Sequence, residues 1–353
     1  MNDLSQITRA SAEDRRGLFQ QAGQRLACAP ENIEKDFWVC WTLDVLYNKA
    51  GIKPRLLFKG GTSLSKAFDL IQRFSEDIDI TVFRTDLLGE DFPSDDELRA
   101  MGSKQRSRKL DEIKERCSGF INGDFRDALT KVAASELEGH KFKIEPDTED
   151  PDGQSLLFHY PSAFTGSDEG YVRRLVKIES GAKSALDPHE AKTIAPYSAT
   201  EAEGLNLAVS NVLTIKPGRT FWDKIIILHG QRHWFENKGS LYKDGQRLSR
   251  HYYDAYRLLA SDHGKSAITD LELAESCAQH ARLYFNRKPL DLDLAAPGTF
   301  GIVPAGGMLA PLKTDYEKMA GMIFGEVPPF DEMIERIAEA ETTLNTKPNP
   351  EPA

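Results

Sequence analysis

Apolar positions in residues 11–48 recur every three to four places, the spacing that lines one face of an α-helix. The stretch Pro30-Glu31-Asn32-Ile33-Glu34-Lys35-Asp36 reads as a break followed by a new helix start, so two helices are predicted there. The pattern then changes. Pro54 precedes Leu56-Leu57-Phe58, a short apolar run that stops at Gly60-Gly61 as a buried strand would. Thr62 or Ser63 can cap a following helix carrying Leu64, Ala67, Phe68 and Ile71, because their oxygens accept from its free N–H groups. Ile78-Asp79-Ile80-Thr81-Val82 is a strand by its alternation and β-branched content. Residues 90–140 are highly charged and read as an inserted helical segment. Strand signals return at 142–144, 155–160 and 172–179 between Pro, Asp and Gly turns, which completes a mixed sheet. From about Leu205 the pattern is mainly helical, through 221–235 and 249–260, to a helix ending near Thr343. The proline-rich tail, 347–352, should fray.

Length divides this pattern into two units: 1–204, with the sheet, the N-terminal helices and the charged insertion, and 205–353, mainly helical. No run approaches the ~20 apolar residues of a membrane helix; the best, Ile225-Ile226-Ile227-Leu228, is far too short. The N-terminus has no basic flank before an apolar segment, so no secretory signal is expected. Cys28, Cys40, Cys117 and Cys277 form no CxxC pair, which fits a reducing cytoplasm and neither a zinc knuckle nor a disulfide framework. A net charge of −10 opposes indiscriminate binding to nucleic-acid backbones. The basic runs Lys104-Gln105-Arg106-Ser107-Arg108-Lys109 and Arg173-Arg174 are either local RNA contacts or solvated faces.

The candidate chemistry lies in Phe58-Lys59-Gly60-Gly61-Thr62-Ser63, a helix, and Arg73-Phe74-Ser75-Glu76-Asp77-Ile78-Asp79-Ile80. Side chains at i and i+2 of a strand face the same way, so Asp77 and Asp79 project together while Ile78 and Ile80 face the core. Two adjacent carboxylates repel unless a cation sits between them, and Mg²⁺ takes hard oxygens from carboxylates, phosphates and water. The paired glycines let a backbone approach phosphates closely, and the helix start after them offers N–H groups. A carboxylate pair alone means little: Asp291-Leu292-Asp293 has the same spacing without the glycines and is assigned to a solvated loop. His229 and His233 stand i, i+4 with neither an HExxH glutamate nor a third ligand, so zinc is disfavoured. Phe221, Trp222, Tyr252, Tyr253 and Tyr256 are spaced as core residues rather than as a base-stacking platform.

This order of elements resembles the nucleotidyltransferase superfamily of the DNA polymerase β type. More narrowly, Gly60-Gly61-Thr62-Ser63-Leu64, Arg73-Phe74-Ser75-Glu76-Asp77-Ile78-Asp79, Thr220-Phe221-Trp222-Asp223-Lys224 with Leu228-His229, and Arg250-His251-Tyr252-Tyr253-Asp254 look like the AbiEii/AbiGii family of toxin nucleotidyltransferases. The resemblance implies an α+β fold, a polymerase β-type mixed sheet flanked by helices with a mainly helical C-terminal domain. It also implies an NTP substrate and Mg²⁺, or Mn²⁺ in its place, held by Asp77, Asp79 and a third carboxylate, for which Glu179 stands in the best matching place. It adds Lys224 and Asp254 to the catalytic set, and Gly60, Gly61, Thr62, Ser63, Lys66, Arg73, Ser75 and Lys224 to the nucleotide-binding set. On spacing alone Lys224 and Asp254 read as helix-surface charges, and only the resemblance places them in the site; Lys59, Lys66 and Arg73 could equally be sheet-edge or surface charges. One departure from the superfamily pattern is that fifteen residues separate Gly61 from Asp77, which a longer helix would absorb.

The implied reaction is attack of an acceptor hydroxyl on the α-phosphate of an NTP, releasing pyrophosphate. The implied role is the toxin of a type IV toxin–antitoxin, phage-defence pair. Transfer RNA is the favoured acceptor, and the antitoxin is a separate transcriptional repressor that need not form a stable complex. Two alternatives are an NTP-binding regulator without transfer and a nucleotidyltransferase acting on a small molecule or a protein.

Overall fold

The computed structural model describes residues 2–165 and 173–346. The expected frayed tail, 347–352, and Val172, the expected start of a strand, lie outside the described residues. The chain forms two compact units, one of residues 1–68 and 74–215, the other of Asp69–Arg73 and Lys216–Ala353.

The first unit is built on a seven-stranded mixed sheet in the order β3-β4-β5-β2-β1-β7-β6. Its strands are β1 (Leu56–Lys59), β2 (Asp77–Val82), β3 (Lys143–Pro146), β4 (Ser155–His159), β5 (Val176–Gly181), β6 (His189–Ile194) and β7 (Val209–Ile215). β2 runs antiparallel to β1 and parallel to β5, while β1 runs parallel to β7. The outer pairs β3/β4, β4/β5 and β6/β7 are antiparallel. Leu57, Phe58, Ile78, Ile80, Phe158 and Ile178 are fully buried, as apolar positions of a covered sheet must be. The expected helical pattern from about Leu205 is corrected here: 209–215 is the strand β7, a β-branched run paired on both sides by β1 and β6.

After a short helix, Leu4–Arg9, two longer helices precede the sheet. Ala12–Leu26 starts at Ser11, whose hydroxyl accepts from the Asp14 N–H, and ends at Ala27 in a left-handed conformation. Pro30–Asp44 begins with proline, whose missing N–H is no loss in a first turn. This second helix is buried on nearly every side from Ile33 to Asp44. Trp38 stacks on Tyr160 at 5.4 Å and Trp41 on Phe158 at 5.3 Å, joining it to the β4 edge of the core. The charged insertion is helical, with Asp95–Ala100, Ser103–Phe120 and Arg126–Glu136. The basic run 104–109 lies largely exposed on the second of these.

The helix after the glycine pair is short. It spans Gly60–Lys66 only, whereas Leu64, Ala67, Phe68 and Ile71 were expected on one helix. The chain then leaves the helical path through Asp69, which is left-handed, and Asp69–Arg73 joins the second unit. The extra residues between Gly61 and Asp77 therefore form a loop and not a longer helix.

The second unit is helical. Pro217–Lys238 buries Phe221, Trp222, Ile225 and Leu228 and stops at Gly239, left-handed as a helix-ending glycine. Ser249–Ala260 buries Tyr252, Tyr253 and Leu258, and Phe330–Thr346 presents Met333, Ile337 and Leu344 to the core. Tyr256 instead donates to Glu332 at 2.6 Å. His229 is fully buried: its Nδ1 accepts from the Gly301 N–H at 3.1 Å, so its Nε2 carries the proton and donates to the Asp291 carbonyl at 3.1 Å. Both ring nitrogens are thereby used in packing. Asp291 is the left-handed residue between two 3-10 turns, Lys288–Leu290 and Leu292–Leu294, and Asp293 lies in the second, so neither is on a strand.

Candidate active site

Strand register places three carboxylates on one face. Asp77 and Asp79 are two apart on β2, and the parallel pairing sets Asp79 opposite Glu179 and Asp77 opposite Lys177 on β5. Lys59 opposes Asp79 from β1, its Nζ 4.0 Å from Asp79 Oδ1. Lys177 bridges Glu179 Oε1 at 2.8 Å and Asp147 Oδ2 at 3.2 Å. The face is thus a small array of alternating charge at the middle of the sheet.

Gly60 shapes the seat of Asp79. Its φ is +79°, a region L side chains rarely adopt, and a Cβ there would lie 2.0 Å from Asp79 Oδ2. The carboxylate occupies the space a side chain at position 60 would need. Asp77 is crowded differently. Burial, reinforced by Glu76, Glu179 and Asp79 and partly relieved by Lys35, pushes its carboxyl up to about 6.

The other residues expected around this pair are mostly turned inward. Thr62 is fully buried, its hydroxyl 2.8 Å from the Ser75 hydroxyl and 2.5 Å from the Asp77 carbonyl, so it ties the short helix to the start of β2. The Ser63 hydroxyl donates to the Gly60 carbonyl at 2.9 Å. Lys66 forms a buried ion pair with Asp36 and lies 3.2 Å from the centre of the Tyr197 ring. Its side chain is 3% exposed, so it braces the helix Gly60–Lys66 and is not presented to a phosphate. Lys35, on the same helix as Asp36, pairs with Glu76 at 2.7 Å and donates to the Arg173 carbonyl at 3.0 Å. Two buried ion pairs from the helix Pro30–Asp44 therefore hold the motif, one at the end of the short helix and one at the start of β2.

Arg73, Lys224 and Asp254 come together within the second unit. Arg73 grips Asp254 with both arms of its fork, Nε to Oδ1 at 2.7 Å and Nη2 to Oδ2 at 2.9 Å. Lys224 Nζ donates to Asp254 Oδ2 at 2.7 Å and lies 3.1 Å from His251 Nδ1. Asp254 is fully buried, which would push its carboxyl up, yet Arg73 and Lys224 more than offset this and hold it well below the usual carboxylate range. Burial, with Arg73 nearby, draws the Lys224 ammonium down against the pull of Asp254. His251 is kept neutral by burial and by the charges of Lys224 and Arg250. Neither Lys224 nor Asp254 is a surface charge.

Among the described residues no group of three or more His, Cys, Asp or Glu side chains is gathered as a ready metal site. The donor chemistry nonetheless fits a hard divalent cation: Asp77, Asp79 and Glu179 offer only oxygen, share one sheet face, and one of them is cradled against a glycine where no side chain intrudes. Sequence reasoning missed Lys177, Lys35 and Asp36. Lys177 was readable, since it stands two residues before Glu179 on one strand and so shares its face.

The family model described as nucleotidyl transferase AbiEii toxin of type IV toxin–antitoxin systems matches residues 44–336. No curated protein matches the chain. Among solved structures, the chain is similar to MenT4, a nucleotidyltransferase toxin from Mycobacterium tuberculosis H37Rv, at 16% identity over 94% of this chain and 90% of that one, with a TM-score of 0.49.

Proposed function

The chain belongs to the AbiEii family of nucleotidyltransferase toxins of type IV toxin–antitoxin systems, and on that premise we propose that it transfers a nucleoside monophosphate from an NTP to a hydroxyl of transfer RNA. The observation that carries the site is the register of β2 against β5, which puts Asp77, Asp79 and Glu179 on one face. These three would hold Mg²⁺, or Mn²⁺ in its place, and the ion would stabilise charge on the attacking and leaving oxygens of the phosphoryl group.

The protein's own part is orientation and charge. Gly60 fixes the Asp79 carboxylate, and the Thr62 and Ser75 hydroxyls fix the chain entering Asp77. Glu179, with a side chain 41% exposed, is the carboxylate best placed to meet an incoming acceptor and take the proton from its hydroxyl. The ion pair between Asp254 and Lys224 supports Asp254 as the residue that orients Lys224, while the neutralising of triphosphate charge by Lys224, whose side chain is 8% exposed, rests on the family resemblance alone. Arg73, which grips Asp254, is joined to Asp77 by three residues of chain, 74–76. The backbone at Gly60 and Gly61 approaches the phosphates; for Lys66, its pairing with Asp36 supports a bracing role instead.

The biological setting follows the family: a toxin in phage defence, opposed by a separate repressor antitoxin with no stable complex required, acting in the cytoplasm. Among the described residues no helix is long and apolar enough to cross a membrane. Incubation with each α-labelled NTP, Mg²⁺ and total cellular RNA or protein tests the assignment. Label on RNA that disappears in Asp77→Ala is the expected result. Label on protein shifts the acceptor class, label on neither pool refutes both macromolecular acceptors, and nucleotide binding without turnover leaves a regulator.

A further inference from the structure

We infer that Lys177 is a positioning residue that competes with the divalent cation for Glu179 and withdraws to Asp147 when that carboxylate is engaged. This rests on the metal role proposed above for Asp77, Asp79 and Glu179. Lys177 and Glu179 are two apart on β5 and share the face that β2 completes with Asp77 and Asp79. The ammonium of Lys177 touches two carboxylates from different elements, Glu179 at 2.8 Å and Asp147 at 3.2 Å.

The two partners differ in freedom. Asp147 is buried, its Oδ1 accepts from the Glu149 N–H at 3.0 Å, and its own N–H donates to the Ser155 carbonyl at 2.9 Å, so it is fixed in the turn between β3 and β4. Glu179 is 41% exposed and can swing. A lysine head is a compact charge with three rotatable donors on a flexible stem, suited to shifting between two acceptors in a way a rigid guanidinium fork is not. Losing Glu179 to a cation would leave Lys177 still paired with Asp147, so no buried charge is stranded. A half-exposed ion pair is weak, so Lys177 tunes cation affinity by about two- to fivefold and does not block it.

The experiment is Mn²⁺ binding to the full-length protein without nucleotide, read by paramagnetic resonance of the free ion. Lys177→Met removes the internal competitor and should tighten binding by about two- to fivefold. Asp147→Asn takes away the fallback partner and should weaken it by a similar factor. Lys177→Gln repeats the first measurement with a polar head should the Met variant fail to fold. Binding to the unaltered protein, abolished in Asp77→Ala, with Lys177→Met or Lys177→Gln no tighter, overturns the competition alone. Failure of the unaltered protein to bind overturns the metal site and the competition together.

Discussion

Asp79 against Gly60 is the closest fit in the site, and it is a fit between a side chain and a backbone. Gly60→Ala forces the carboxylate aside, and a shift near 1 Å is worth about a hundredfold in turnover; the expected result is that loss of nucleotidyl transfer with a melting curve only slightly lowered. Full activity in Gly60→Ala would sink the seating argument. Asp77→Asn and Asp79→Asn should each lose on the order of a thousandfold in transfer while remaining folded by circular dichroism. At this scale the shared face of Asp77 and Asp79 was legible because a glycine pair and a strand pattern frame an i, i+2 spacing that by itself, as at Asp291 and Asp293, means little. The inward turn of Thr62 and Lys66 was not, because a short polar or basic residue after a glycine pair reads the same whether it faces a ligand or a neighbour. His229 gives a pH signature. Burial lowers its imidazole to about 4, so between that value and the unfolded ~6.5 only the unfolded chain takes up the proton. Its contribution is complete above ~6.5 and falls by about 3 kcal/mol as pH drops through the interval. Denaturant midpoints at pH 7 and pH 4.5 should therefore converge in His229→Gln relative to the unaltered chain; parallel pH slopes would refute this.

Among the elements, the helix Pro30–Asp44 has the greatest hidden influence. Its sequence reads as an ordinary helix start with a charged first turn, yet Lys35 and Asp36 are buried and reach Glu76 and Lys66 on either side of the loop that separates β1 from β2. Such long-range pairing leaves no trace in periodicity. The family match begins at residue 44, just past this brace. Lys35→Met takes a charge partner from the buried Glu76 and should cost about 3–5 kcal/mol in urea unfolding, whereas Lys35→Met with Glu76→Met should recover most of it. A double variant no better than the single would show that the pair itself supplies the stability. The five strands β1 to β5 were visible from alternation and turn residues. β6 and β7 were not: 189–194 alternates weakly around charged residues, and 209–215 was absorbed into the helical pattern that follows it.

On the scale of the whole molecule, the mixed sheet and the helical C-terminal part were both legible, since each has many residues voting for one period. The path of the chain was not. The second unit is discontinuous, drawing Asp69–Arg73 from within the motif of the first. Gln72 accepts from the Phe324 N–H at 2.7 Å, Arg73 pairs as a short bridge with Ile323, and its fork holds Asp254. A fragment beginning at residue 216 lacks all of these and keeps a buried Asp254 with Lys224 as the remaining member of its ion cluster. Its thermal unfolding should come well below that of the intact chain, and Asp254→Asn should narrow the gap; an equally stable fragment would contradict the assignment.

The same detour gives the chain three passages from one unit to the other, after residues 68, 73 and 215. A single cut after residue 215 therefore does not sort the molecule into its two units, because the amino-terminal piece still carries five residues that belong to the other fold. Those five act as a built-in address. A cut after residue 215 parts the strip 69–73 from its partners Asp254, Ile323 and Phe324, and bringing the two pieces together would restore contacts that neither holds alone.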